Sequence, residues 1–309
     1  MKTITITEVG LRDGLQNERE FFPTADKAAL ANLLIASGVR QLEVSSFVSP
    51  KAVPQLADAE ALIEQLDKPD DLVLRALVPN ERGAERAAGT SVDVWVTFMS
   101  ATEKHSLANS NASMEKAFER IKPLPQLAAQ CNASVCASIA VAFDCPFEGA
   151  TPVERVVEVA KRFEDIGVTS LVLGDTIGSA SPNSVEALVN ALQGQLPQLD
   201  ITLHFHNTRG LALANVMAGI ACGVNRYESS VGGIGGCPFA PGATGNVATE
   251  DLVHLLIQQD IDCGIDLSAL IDAGRYLSTQ LNRQLPAHLQ HAAPVGEVYE
   301  FETFSRAVG

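Results

Sequence analysis

Short apolar or alternating runs recur along this chain, each followed by a longer amphipathic stretch, and one phrase repeats where they meet. Residues 36–44 read ASGVRQLEV, residues 165–173 read DIGVTSLVL, and residues 221–228 read ACGVNRYE. In each, an amphipathic run stops at Gly, Val follows, and a short strand-like run begins. A glycine just past a helix supplies the left-handed residue that terminates it. Helix, glycine stop and strand in repetition predict a parallel sheet built from βα units. Helix starts keep the same phase. Thr151-Pro152-Val153-Glu154 has the form of a capping box with proline at the first helical position, and Ser181-Pro182 reads as a second cap.

Strands are predicted near residues 3–7, 41–44, 72–77, 92–98, 134–141, 170–173, 200–204 and 226–230. Eight strand–helix alternations predict an α/β protein, a closed TIM (β/α)8 barrel, with extra C-terminal helices packed outside it after about residue 265. An open doubly wound sheet shares the alternation, but its usual Gly-x-Gly-x-x-Gly turn after the first strand is missing. No low-complexity linker or charge block divides the chain, so residues 1–309 are expected to form a single catalytic domain.

In such a barrel, chemistry sits where strands end and loops begin. The polar clusters of this sequence fall there. His204 and His206, two apart at a strand end, project from one face and can meet one cation; two structural histidines would show the same spacing. Barrel closure makes Asp13, after the first strand, a neighbour of the seventh and eighth strands. Asn246, in the loop after the eighth, can add an amide oxygen. Two nitrogens, two oxygens and open positions suit Mg2+ or Mn2+ better than zinc or copper. Arg12 adjoins this set, and a fixed guanidinium there can stabilise developing negative charge. Glu43 and Asp175 stand at strand ends as carboxylates that either handle protons or simply solvate. Cys237 lies in a glycine-dense loop rather than a periodic apolar segment, which suits a reactive thiol.

Bulk properties narrow the partners. The net charge of −15 speaks against nucleic-acid binding. No stretch approaches the roughly 20 apolar residues of a membrane span, and the N-terminus lacks the apolar block of a signal peptide. The six cysteines, at 131, 136, 145, 222, 237 and 263, form no CxxC pair. A soluble, cytoplasmic protein is expected, with no membrane or nucleic-acid partner; barrel exteriors associate in many ways, so a homo-oligomer is allowed.

The strings VGLRDGLQNE, EVSSFVSPKAVPQLAD, CPFEG, LGDTIG, HFHN and GGIGGCPFAPGATGNVATEDL resemble, in the same order, the motif series of the 3-hydroxy-3-methylglutaryl-CoA lyases. The resemblance runs from about residue 5 to 260. It implies a metal-dependent barrel that splits a short 3-hydroxyacyl-CoA, its cation held by Asp13, His204, His206 and Asn246. It further implies that Arg12 polarises the substrate, Glu43 assists proton handling, Asp175 supports the site and Cys237 acts in acid/base catalysis. The products would be acetyl-CoA and acetoacetate. Two departures stand out. The family usually continues the histidine motif as His-Asp-Thr-Tyr-Gly-Gln, where this chain has His206-Asn207-Thr208-Arg209-Gly210-Leu211. The family also carries an arginine about nine residues before the CPFEG cysteine, where this chain has Cys136. Both bear on the acyl end of the substrate, and citramalyl-CoA is a competing one. A Claisen-type condensing enzyme would typically show Gly-Glu-Arg in place of Gly-Cys-Pro, and an inactive binding subunit would not need the four ligands. Lys51, Lys104 and Arg209 are candidate phosphate partners for CoA.

Overall fold

The computed structural model describes residues 3–236 and 245–292. Eight parallel strands close into a barrel: β1 (Thr5–Glu8), β2 (Gln41–Ser46), β3 (Val73–Leu77), β4 (Val94–Ser100), β5 (Ser134–Ala140), β8 (Ser170–Asp175), β9 (Asp200–Phe205) and β10 (Arg226–Ser229). Between β5 and β8 a small antiparallel hairpin, β6 (Asp144–Cys145) and β7 (Gly149–Ala150), was not expected from the sequence. Two residues per strand carry too little periodicity to be read. The first strand begins at Thr5 rather than Thr3, which instead bridges Asp262.

All three repeated phrases end their helices by one device. Gly38, Gly167 and Gly223 adopt φ of 102°, 90° and 87°, one residue past the helix cap. The N–H of the following valine then reaches back to a carbonyl of the last turn: Val39 to Leu34 (3.2 Å), Val168 to Phe163 (3.1 Å) and Val224 to Gly219 (2.9 Å). Each valine is buried, so the apolar contact that accompanies this stop also starts the next strand inside the core.

Helix starts divide. Ser181 caps the helix Pro182–Gln195 in a reciprocal pair with Ser184. Thr151 does not cap the helix Val153–Asp165; its hydroxyl donates to the carbonyl of Val141 at 2.8 Å, tying the hairpin to β5. The helix Leu267–Gln280 packs outside the barrel against Thr24–Ala36, as expected for a C-terminal extra. Most of the core lies between the sheet and its helices, while Val96, Cys136 and Val172 form a separate small apolar cluster. Among the described residues no helix is long and apolar enough to cross a membrane.

Candidate active site

The C-terminal ends of β1, β9 and β10 meet because β10 pairs with both of the others. Register does the rest: Thr7 stands beside Glu228, and Glu228 beside His204. After β1 the chain turns through a π-helical segment, Gly10–Gly14, in which the N–H groups of both Asp13 and Gly14 reach the carbonyl of Val9. Such wide turns recur at functional sites. Here it aims Asp13 back at β9. Gly14 is required for the close approach of the neighbouring loop, since a Cβ there would lie 2.6 Å from the Ile234 side chain.

Asp13, His204 and His206 each offer one ligand atom, all within 4.8 Å of one another, and all three are buried. Asn246 joins them: its backbone bridges His206 and its Nδ2 donates to Asp13 Oδ2 at 2.8 Å and to the Ile234 carbonyl at 3.1 Å. Its Oδ1 is buried without a hydrogen-bond partner among the described residues, as is Nδ1 of His206. Buried polar atoms are ordinarily paired, so a cluster of carboxylate, two imidazoles and an orphaned amide oxygen has the composition of a divalent-cation site.

The electrostatics suit that reading. Burial alone would raise the carboxyl of Asp13, but Arg12 first, then His204 and His206, outweigh it and hold it at about 2. His206 is pushed down to about 4 by burial and by its neighbour His204, so its imidazole is neutral, as a ligand must be. Burial works against a charged His204 too, yet the hydrogen bond and charge of Glu228 prevail and shift it upward. Glu228 Oε2 takes that bond from His204 Nδ1 at 3.0 Å, which leaves Nε2 for a ligand.

Arg12 lies across the same mouth. Its Nε donates to Glu43 Oε1 at 2.5 Å and its Nη1 to Asp13 Oδ1 at 2.6 Å, while Nη2 has no hydrogen-bond partner among the described residues. Glu43 is fully buried, and its carboxyl is raised by burial and by repulsion from Glu228 despite the opposing pull of Arg12; its Oε2 has no hydrogen-bond partner among the described residues. Asp175 accepts the N–H groups of Ser179 (2.8 Å) and Ala180 (3.2 Å) through Oδ1, and its Oδ2 has no partner among the described residues. Burial lifts it to about 6.

The family model described as HMGL-like matches residues 3–277 of the chain. The chain belongs to the HMGL-like family. Among its family relatives, hydroxymethylglutaryl-CoA lyase of Bacillus subtilis is 40% identical over 286 residues, 93% of this chain and 96% of that protein. The human mitochondrial hydroxymethylglutaryl-CoA lyase is 38% identical over 291 residues, 94% and 90% of the two chains. A solved HMG-CoA lyase from Acinetobacter baumannii, in complex with coenzyme A and 3-methylmalate, superposes with a TM-score of 0.91 at 36% identity, covering 97% of this chain and 98% of that one. The carboxyl transferase domain of Rhizobium etli pyruvate carboxylase, at 19% identity and a TM-score of 0.70, shares the fold.

Of the residues singled out in the sequence of this HMGL-like chain, Arg12, Asp13, Glu43, His204, His206 and Asn246 form one connected cluster. Asp175 stands on the neighbouring β8, its strand partner being Phe205. Cys237 lies outside the described residues. Lys51 and Lys104 are exposed, whereas Arg209 spends Nη1 on the carbonyls of Ile177 and Gly178, tying the loop after β9 to the loop after β8. Two residues were missed. Glu228 and Arg75 are both buried inside the barrel, 3.3 Å apart. The alternation of Tyr227, whose hydroxyl reaches Val216 and Val224 on the helix side, with Glu228 was the available signal for an inward carboxylate.

Proposed function

We propose that this chain cleaves 3-hydroxy-3-methylglutaryl-CoA to acetyl-CoA and acetoacetate with a divalent cation, Mg2+ or Mn2+, bound by Asp13, His204, His206 and Asn246. The observation that carries this reading is the convergence of the first three within 4.8 Å, beside an arginine whose Nη2 has no hydrogen-bond partner among the described residues. The names of the relatives, each matched over most of its length, support the substrate. The bound coenzyme A in the Acinetobacter structure supports an acyl-CoA.

When bound, the cation would supply positive charge to the hydroxyl and carbonyl oxygens of the substrate. Arg12, fixed by Asp13 and Glu43, holds the hydroxyl oxygen and balances the charge that grows as its proton leaves. Glu43, whose buried Oε2 has no partner among the described residues and whose proton affinity is elevated, handles that proton. The oxygen's electron pair becomes the ketone of acetoacetate as the carbon–carbon bond breaks, and the bonding pair departs on the acetyl-CoA enolate. Cys237 returns a proton to that carbon. Asp175 keeps the loop after β8 in place through Ser179 and Ala180. We assign this chemistry to one catalytic domain spanning residues 1–309 and place the protein in the cytoplasm, a compartment that suits its five described cysteines, all free thiols.

The test is product analysis. Purified protein with Mg2+ or Mn2+ should release acetoacetate from 3-hydroxy-3-methylglutaryl-CoA, and a chelator should stop it. Pyruvate from citramalyl-CoA in its place would reassign the substrate, and no acyl-CoA cleavage would overturn the reading. Cys237→Ala should lower turnover by about two orders of magnitude or more with cation binding unchanged.

A further inference from the structure

Arg75 places a second guanidinium in the barrel interior. It rises from β3, is 4% exposed, and touches four other strands. Nη1 donates to Thr7 Oγ1 on β1 at 3.2 Å and lies 3.5 Å from Gln41 Oε1 on β2; Nη2 lies 3.3 Å from both Cys136 Sγ on β5 and Glu228 Oε1 on β10. None of these atoms touches the cluster of Asp13, His204 and His206 directly. Glu228 does, through its second oxygen, which accepts from His204 Nδ1.

The charges explain why the fold tolerates an arginine there. Three buried carboxylates, Asp13, Glu43 and Glu228, line this interior, and Arg12 is committed to the first two. Glu228 is left to Arg75. A carboxylate with no fixed donor on Oε1 would be free to turn, and the imidazole it orients would turn with it. The side chain also ends against Cys136, the position where the family pattern has an arginine. A guanidinium reaching inward from residue 136 would arrive beside the same carboxylate.

We propose that Arg75 is a positioning residue of the cation site, holding Glu228 so that His204 keeps Nε2 toward the ion, and supplying from β3 the guanidinium that position 136 on β5 lacks. This deepens the proposed function and rests on its cation site, though not on its substrate.

Mn2+ affinity, read by the electron paramagnetic resonance of free Mn2+ without any acyl-CoA, separates the two. Arg75→Met should weaken Mn2+ binding about 10- to 100-fold, the range expected for loss of a ligand's supporting partner. Arg75→Lys, which keeps the charge, should fall between parent and Arg75→Met. The exchange variant Arg75→Ala with Cys136→Arg should bind within about tenfold of the parent. Parent-like affinity in a folded Arg75→Met overturns the inference. Should Arg75→Met fail to unfold cooperatively, Glu228→Gln must show the same loss and the exchange variant must recover binding; failure of either also overturns it. A parent that binds Mn2+ yet cleaves no 3-hydroxy-3-methylglutaryl-CoA would sink the substrate assignment alone. A parent that binds no Mn2+ sinks both.

Discussion

The side-chain amide of Asn246 donates to Oδ2 of Asp13 at 2.8 Å, joining two residues 233 positions apart in the chain. The same carboxylate takes Arg12 on its other oxygen at 2.6 Å. Asp13 is thus fixed from both sides before any ion arrives, which is how a site is made ready for a ligand at little cost in ordering.

Asn246→Ala removes the amide that holds Asp13 and the Ile234 carbonyl, together with an oxygen that has no partner among the described residues. We expect Mn2+ affinity to fall by about tenfold or more, and stability to drop by about 1–3 kcal/mol because buried partners are stranded. Calorimetric titration and urea unfolding measure the two. His204→Ala should weaken Mn2+ at least as much, and full affinity in that variant would remove it from the ligand set.

Gly235 offers no side chain, yet its replacement should damage the site. Its φ is 124°, and a Cβ would stand 2.6 Å from Nδ2 of Asn246. Gly235→Ala should therefore lower both stability and Mn2+ affinity, by backbone strain and by displacing the amide. Gly236→Ala, with no described residue within 4 Å of the added carbon, is the control and should leave Mn2+ affinity unchanged.

Asp175 separates structure from chemistry. Asp175→Asn keeps an oxygen for the N–H groups of Ser179 and Ala180 and should match the parent in turnover, with a melting temperature within a few degrees of it. Asp175→Ala loses the acceptor and should cost about 1–3 kcal/mol of stability. A fall in turnover in the Asn variant would show that Asp175 does more than anchor the loop.

Glu250 is fully buried, and burial pushes its carboxyl up to about 7 from 4.5, against the pull of the Gln290 amide and the N–H of Gly232. Between those two pH values the folded chain keeps a proton that the unfolded chain has released. The resulting stabilisation is full below pH 4.5 and is lost as pH rises through 7, roughly 3 kcal/mol in all. Glu250→Gln cannot titrate. Its stability should therefore improve relative to the parent by about that amount from pH 4.5 to 8, measured as the difference in unfolding free energy. A constant difference across that range would show that Glu250 is not the group responsible.

Much of the site was legible because strand periodicity is local. His204 and His206 had to share a face once their run was read as a strand, and a polar run closing a strand had to sit at the barrel mouth once βα units were recognised. Glu228 and Arg75 were not legible. Arg75 stands on a five-residue strand among apolar neighbours, and for Glu228 the one local signal, its alternation with Tyr227, says that the side chain points inward but not what it meets there. The π-helical turn at Gly10–Gly14 escaped for a similar reason, since its glycines fit any tight loop.

The strand–helix rhythm, the glycine stops at 38, 167 and 223, and the residue types gathered at strand ends are readable in the chain, since all of these follow from torsional preference and side-chain alternation over a few residues. That Glu228 falls beside His204, and that Arg75 crosses the interior to meet it, came from the folded barrel alone. Those contacts depend on the register of paired strands and on closure of the barrel, which bring together atoms that no local rule relates.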